Sequence, residues 1–330
     1  MLIRKPSYFD SFRCIAGQCP DSCCKEWDVL VDPDKAAFYR SLPGQLGDRL
    51  RQVLKDEDGD TYMMIEDRRC PMWRADGLCR IQAELGEGAL CKTCREFPRL
   101  THDYGDFIEY GLELSCPEAA RIILSTPTPA FITEEVPGGE APEYDAEIME
   151  ILLDTREILH KLLTNSTHTP NETLAILLMY GYHVQAALDG AEIEEFDPEA
   201  AFAESRQFAT AAKAAPFLDF FKDLEILTEN WSARLASPAP AAWSDYHLLL
   251  ARYFVDRYWL QAVSDFDLVC RVKLAVISCI AIRLLGGDPV STAQLYSKEI
   301  ENSIDNLEAI LDAAYMAPAF TDSNLLGLLM

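Results

Sequence analysis

The chain is short of cations, of histidine and of glycine, and each shortage closes off a class of function. Its 330 residues hold 29 Lys and Arg against 54 Asp and Glu, a formal net charge of −25. A surface of that sign repels nucleic-acid phosphates and anionic headgroups, which argues against DNA, RNA or a membrane surface as partner. The five histidines, at 102, 160, 168, 183 and 247, show no metal-ligand spacing. His102 falls among cysteines but reads as a surface-loop residue. The 16 glycines include no glycine-rich turn that follows an apolar strand. Gly86-Glu-Gly88 lacks that context, and Gly286-Gly287 ends a helical pattern as a C-cap. The usual nucleotide-cofactor fold, a Walker loop and a nucleophile elbow are therefore not expected. No long apolar run is uninterrupted: residues 268–285 contain Arg271, Lys273 and Arg283, so they read as a core helix. The opening Met-Leu-Ile-Arg-Lys-Pro lacks the apolar stretch and small-residue cleavage site of a secretory signal, so a cytoplasmic protein is expected.

Cysteine is what the chain has in excess. Eleven are present, nine of them between Cys14 and Cys116, and then none until Cys270 and Cys279. In a reducing compartment such a cluster means metal or redox chemistry rather than disulfides. The spacing is Cys14-x4-Cys19-x3-Cys23-Cys24, then Cys70-x8-Cys79-x11-Cys91-x2-Cys94, then Cys116. Thiolates bind zinc or the iron of iron–sulfur clusters, and tight turns aim several at one centre. Gly17, Pro20, Pro71, Gly77, Pro98 and Pro117 supply residues that shape such turns. Only Cys91-x2-Cys94 has the form of a zinc knuckle, and the set suits one site with spares or two sites. Spacing alone leaves both zinc and an iron–sulfur cluster open as the occupant. Cys270 and Cys279 sit on the apolar helical run, too far apart to chelate together, and read as core thiols.

Periodicity divides the chain into three parts and gives a mainly α fold: a small irregular cysteine-rich metal domain followed by an all-helical bundle. Residues 1–125 form the metal domain, with a helix over 33–55 capped by Asp32, a short strand over 61–65, and a closing helix from Pro117. Residues 126–144, rich in Pro, Gly, Thr and Glu, read as a linker or surface loop. Helices are expected at 146–163, 171–189, 198–213, 216–230, 244–263, 267–285 and 291–314. The charge is unequally shared. Residues 1–125 hold 17 Lys and Arg against 22 acids, a net of −5; the rest hold 12 against 32, a net of −20. That acidic part is first a solubility surface, and it also attracts a cationic segment or a lysine side chain.

The run Tyr8-Phe9-Asp-Ser-Phe-Arg-Cys14, with Cys19, Cys23-Cys24, Trp27 and Asp32 after it, resembles the opening of the flagellin lysine-N-methylase family. Cys70-Pro-Met-Trp, Leu78-Cys79-Arg-Ile, Leu85-Gly86, Thr93-Cys94-Arg-Glu-Phe-Pro98-Arg99 and Leu114-Ser-Cys116-Pro-Glu-Ala-Ala follow in that family's order. The resemblance covers roughly residues 6–122. The Cys-Cys and Cys-Arg-x-Phe-Pro pieces are also similar to a broader group of zinc- or iron-chelating cysteine-cluster proteins. The resemblance implies methyl transfer from S-adenosylmethionine to the ε-amine of flagellin lysines, with a [4Fe–4S] cluster held by Cys14, Cys19, Cys23, Cys24, Cys70, Cys79, Cys94 and Cys116. Cys91 stands where the family is expected to have serine or a similar residue, and ranks last of the nine. Lys25-Glu26 stand where a small residue is more usual. With no usual cofactor fold, S-adenosylmethionine would be bound with help from the metal, an open iron taking its amino-acid moiety. The alternatives are a non-catalytic zinc- or iron-binding interaction module, or an electron carrier or metal store. About 200 residues beyond the cysteines suit a protein that grips a large substrate. Arg95 and Arg99 are candidates to neutralise a cluster or ground a carboxylate, or to pair with nearby acids. Trp27 and Trp73 are candidates to shield a cluster or simply to pack. The catalytic base, the modified lysines and the oligomeric state are not legible.

Overall fold

The computed structural model describes residues 1–25 and 28–330. Trp27, one of the residues carrying the family resemblance, lies outside the described residues. The fold is mainly α, and all seven strands found among the described residues precede residue 136. They are β1 (Leu2–Pro6), β2 (Val29–Val31), β3 (Leu54–Glu57), β4 (Asp60–Met63), β5 (Arg99–Asp103), β6 (Phe107–Leu112) and β7 (Phe131–Glu135). One sheet has the order β5-β6-β1-β7, with β1 parallel to β6 and antiparallel to β7. The other is an antiparallel β2-β4-β3 sheet.

Several expectations are corrected. Residues 126–144 are not only a loop, because β7 runs through them. The Pro and Gly residues that suggested a linker bound a Phe-Ile-Thr strand, whose Glu134 and Glu135 put charge on the sheet edge. The helix over 33–55 is two helices, Pro33–Ser41 and Gly44–Val53. Pro43 offers no backbone N–H and turns the preceding Leu42 to an extended conformation. Residues 54–57 then leave the helix for β3. The helix over 291–314 is also two, Pro289–Ile300 and Ile304–Met316. Ser303 caps the second, its Oγ accepting from the Asn306 N–H at 3.3 Å.

Other expected helices form close to their places: Ala146–Asn165, Pro170–Leu188, Pro198–Phe208 and Val269–Leu285. The one expected over 216–230 stops at Lys222, and a separate helix, Glu229–Ala236, starts at the Thr228 cap. The helix over 244–263 is Tyr246–Tyr258, continued by a 3-10 turn. Asp322–Leu329 was not expected.

Val269–Leu285 is buried on nearly every side and forms the axis of the main core. Pro170–Leu188 crosses it at Gly181, where an added Cβ would come within 2.8 Å of Val272. This core extends into Tyr8, Phe12, Phe107, Leu112, Leu114 and Ala119. A smaller cluster gathers Val29, Val31, Tyr39, Leu50, Met63 and Met72, together with Cys70 and Cys91. The larger sheet is pinned to the helices by charge. Glu109 on β6 accepts two hydrogen bonds at 2.7 Å from the Arg156 guanidinium, and both residues are buried. Beside them His160 Nε2 meets Asp256 at 2.5 Å.

Candidate metal centre

Three of the nine cysteines occupy the N-cap of a short helix. Cys79 precedes Arg80–Leu85, Cys91 precedes Lys92–Glu96, and Cys116 precedes Pro117–Leu124. The first N–H groups of a helix have no partner within it, so they are free to face sulfur. Neither Cys79 nor Cys116 makes a capping hydrogen bond, but the backbone N–H groups of Gln82 and Ile81 offset the effect of burial on Cys79, and those of Ala119 and Glu118 do so for Cys116. The Cys-Pro dipeptide at 116–117 is the local sequence signal for one such start. The Lys92–Glu96 helix owes its position to Asp32. One oxygen of Asp32 accepts from the Lys35 N–H at 3.3 Å and the other from the Lys92 N–H at 2.6 Å, so one carboxylate caps two helices. Thr93 Oγ1 donates to the Leu30 carbonyl at 2.8 Å and ties the same turn to β2.

The thiols meet in pairs. Cys23 and Cys24, Cys24 and Cys70, and Cys91 and Cys94 lie close enough to shift one another's thiols, while Cys70 Sγ donates to Met63 Sδ at 3.6 Å. The Cys24 carbonyl also accepts from the Cys70 N–H at 2.8 Å, which fixes that crossing. The pairing splits the proton affinities. Hydrogen bonding from Cys94 brings Cys91 down to about 7, and the same bond drives Cys94 upward. Cys24 is lowered by its bond to Cys23 but raised more by Cys70 and by burial, ending at about 12. Burial pushes Cys116 up to about 12, with Cys19 and Cys23 adding to it. Burial also raises Cys19, with Cys14 and Cys23 contributing. Cys14 is exposed, and its Sγ accepts from the Ala16 N–H at 3.4 Å. Cys91, ranked last from sequence, thus lies buried in the small core, next to the exposed Cys94.

Among the described residues, no three His, Cys, Asp or Glu side chains stand ready to hold a metal ion. The donor chemistry nonetheless fits a thiophilic metal: neighbouring thiols, three of them at helix N-termini, in a region where none is cross-linked.

A cleft of about 990 Å³ opens beside this region. Its walls include Ile15, Pro20, Lys25 and Pro117, which directly follow Cys14, Cys19, Cys24 and Cys116. The opposite wall comes from the helices Glu229–Ala236 and Pro289–Ile300. Arg68, Arg69, Arg121, Arg234 and Lys298 line it as well, so a strongly acidic chain collects cations here. Trp73 sits under two of the cleft's cations, with Lys25 Nζ 5.3 Å and the Arg69 guanidinium 4.5 Å from its ring centre.

Other candidates lie elsewhere. Arg95 pairs with Glu96 at 3.8 Å, and Arg99 covers the ring of Phe12. His102 is a half-buried residue of β5, not a loop residue, and burial together with Arg257 lowers its imidazole. Cys270 and Cys279 are buried, the latter against the His247 carbonyl, as expected of core thiols. Sequence reasoning did not reach Asp21, Gln294 and Lys298. Asp21 was visible within the Cys-Pro-Asp-Ser-Cys-Cys run, but nothing local marks the other two.

No family model and no solved structure matches the chain. It is 26% identical over 237 residues to the Lysine-N-methylase of Salmonella typhimurium, covering 68% of this chain and 58% of that protein. The Lysine-N-methylase of Salmonella choleraesuis gives the same figures. The chain thus spans rather over half the length of these two relatives. It is 30% identical over 140 residues to the Flagellar biosynthetic protein FliU of Salmonella muenchen, covering 40% of this chain and 83% of FliU. With most of FliU matched and the cysteine blocks in the family's order, the chain belongs to the flagellin lysine-N-methylase family.

Proposed function

We propose that the chain is a cytoplasmic protein-lysine N-methyltransferase that moves a methyl group from S-adenosylmethionine to flagellin lysines, with an iron–sulfur cluster held by its cysteines. The observation that carries this reading is the cleft, whose rim follows Cys14, Cys19, Cys24 and Cys116 residue by residue. Its volume of about 990 Å³ suits a cofactor together with an incoming lysine side chain. Family membership supports the reaction class, and the name of FliU supports a flagellar substrate.

When bound at the rim by the thiolates, a [4Fe–4S] cluster supplies an iron able to accept the amino-acid end of S-adenosylmethionine. The residues of the chain account for the rest. A lysine reacts as a neutral amine, so its proton must pass to a base. Among the described residues five acids line the cleft: Asp21, Asp67, Glu118, Glu229 and Asp288. Asp21 holds Lys298, Glu118 holds Arg121 and Asp288 caps a helix, which makes Asp67 and Glu229 the first to test as proton acceptor. Arg69 and Lys25 over Trp73 place cations where a carboxylate of the cofactor can be held. No helix among the described residues is long and apolar enough to cross a membrane.

The test is anaerobic purification, a visible spectrum, and iron, sulfide and zinc counted per chain, followed by S-adenosylmethionine binding and methylation of flagellin. A brown protein that binds the cofactor and modifies lysine supports the proposal. A colourless zinc protein that binds no S-adenosylmethionine overturns it in favour of an interaction module.

A further inference from the structure

Asp21 stands between Cys19 and Cys23, and its side chain is gripped from the far end of the sequence. Its Oδ2 accepts from Lys298 Nζ at 3.0 Å and from Gln294 Nε2 at 3.1 Å. Its Oδ1 accepts from Lys25 Nζ at 3.2 Å, just past Cys24. The Gln294 amide also donates to the Ser115 carbonyl at 2.8 Å, immediately before Cys116. One glutamine therefore joins two cysteine segments that are remote in sequence, and a lysine one turn further along the same helix secures the first of them. The helix Pro289–Ile300 that carries both residues packs on Pro117–Leu124, which Cys116 caps.

Gln294 is 7% exposed and Lys298 6%. Burying an amide and an ammonium is costly, and apolar residues of similar size would often pack such a helix at least as well. What the polar pair gains is contact with the cysteine segments.

We propose that Gln294 and Lys298 are positioning residues that hold the segment from Cys19 to Cys23 against the segment of Cys116, so that thiolates from both can bind metal at the rim of the cleft. The occupant is a thiophilic metal ion or an iron–sulfur cluster. Ligands that all precede Pro117 are brought into register by a helix that begins at Pro289. The inference rests on the reading of these thiols as metal ligands.

The test uses the full chain, purified anaerobically, with metal and sulfide counted and the visible spectrum recorded. Metal retention against a chelator is then compared for Gln294→Leu, Lys298→Met, Lys298→Arg, Asp21→Asn and the double variant Asp21→Asn/Lys298→Met. Outer contacts of this kind cost about 10- to 100-fold in metal affinity when removed. Gln294→Leu and Lys298→Met are expected to lose retention on that scale and to shift the spectrum. Lys298→Arg should restore much of the loss. The double variant should lose less than the product of the two single losses, since both changes break the Asp21–Lys298 contact. Should the buried variants fail to fold, Asp21→Asn on the half-exposed loop decides, and wild-type retention in it overturns the proposal. Losses that multiply in the double variant also overturn it. A wild type that carries no thiolate-bound metal overturns this inference and the proposed function together. A loaded wild type with equally loaded variants overturns this inference alone.

Discussion

Asp32 carries more than its place at the head of one helix suggests. Its two oxygens cap Pro33–Ser41 and Lys92–Glu96, and the second of these presents Cys91 and Cys94. Asp32→Ala removes both caps. A single cap is worth about 0.5–2 kcal/mol, so the variant should lose about 1–3 kcal/mol in urea unfolding. Cys91, buried in the wild type, should become reactive to thiol reagents in metal-free protein. The first cap was legible in the sequence, because an Asp before a Pro-started helix is a local pattern. The second was not, because it reaches across 60 residues. Gln294 and Lys298 were hidden for the same reason: a buried polar pair at helical spacing resembles any other until its partner is known.

At the scale of elements, the larger sheet depends on one buried ion pair. Glu109→Ala leaves the Arg156 guanidinium buried without its carboxylate, and breaking such pairs from one side costs about 3–5 kcal/mol. Thermal unfolding should show that loss, and Glu109→Ala/Arg156→Met should recover part of it. Asp256 gives this region its pH dependence. Burial raises its carboxyl, but His160, Arg252 and Arg156 together hold it below the ordinary value. A depressed carboxyl contributes stability above its unfolded pKa of about 3.9 and loses it as the pH falls through the lower folded value. Asp256→Asn should therefore be less stable than wild type at pH 7, and the difference in urea midpoint should close as the pH drops below about 3.9. Helical periodicity made most of the long helices readable in the sequence. It failed at β7, where five residues of strand sit among turn formers, and at Pro43 and Ser303, where one local residue cuts a continuous apolar pattern in two.

Across the whole molecule the charge is layered. The second part is acidic, with a net of −20 after residue 125, whereas the described lining of the cleft sets Lys25, Arg68, Arg69, Arg121, Arg234 and Lys298 against five acids and so lacks that excess of negative charge. A lysine-bearing protein is attracted by the outside, while a carboxylate-bearing small molecule is favoured within. Salt should therefore act unequally. On the proposed function, raising ionic strength from low to physiological should slow association with a basic protein substrate markedly, and should weaken S-adenosylmethionine binding less, because the cleft is more enclosed than the outer surface. Stopped-flow association and calorimetry separate the two. The charge imbalance was legible from composition, but the cleft was not, since its walls come from five separate stretches of the chain.

The strand order β5-β6-β1-β7 bears on the order of assembly. In the sequence, β1 and β7 enclose every one of the nine clustered cysteines, yet in the sheet they are neighbours paired over five residues. They act as a clasp: once they pair, the ends of the cysteine segment are held by backbone hydrogen bonds and a hydrophobic core rather than by sulfur. A small zinc finger needs its metal in order to fold. Here the frame can close first and be filled afterwards, so chelation should strip the centre while far-UV circular dichroism stays largely unchanged, and the emptied protein should accept metal again without passing through the unfolded chain.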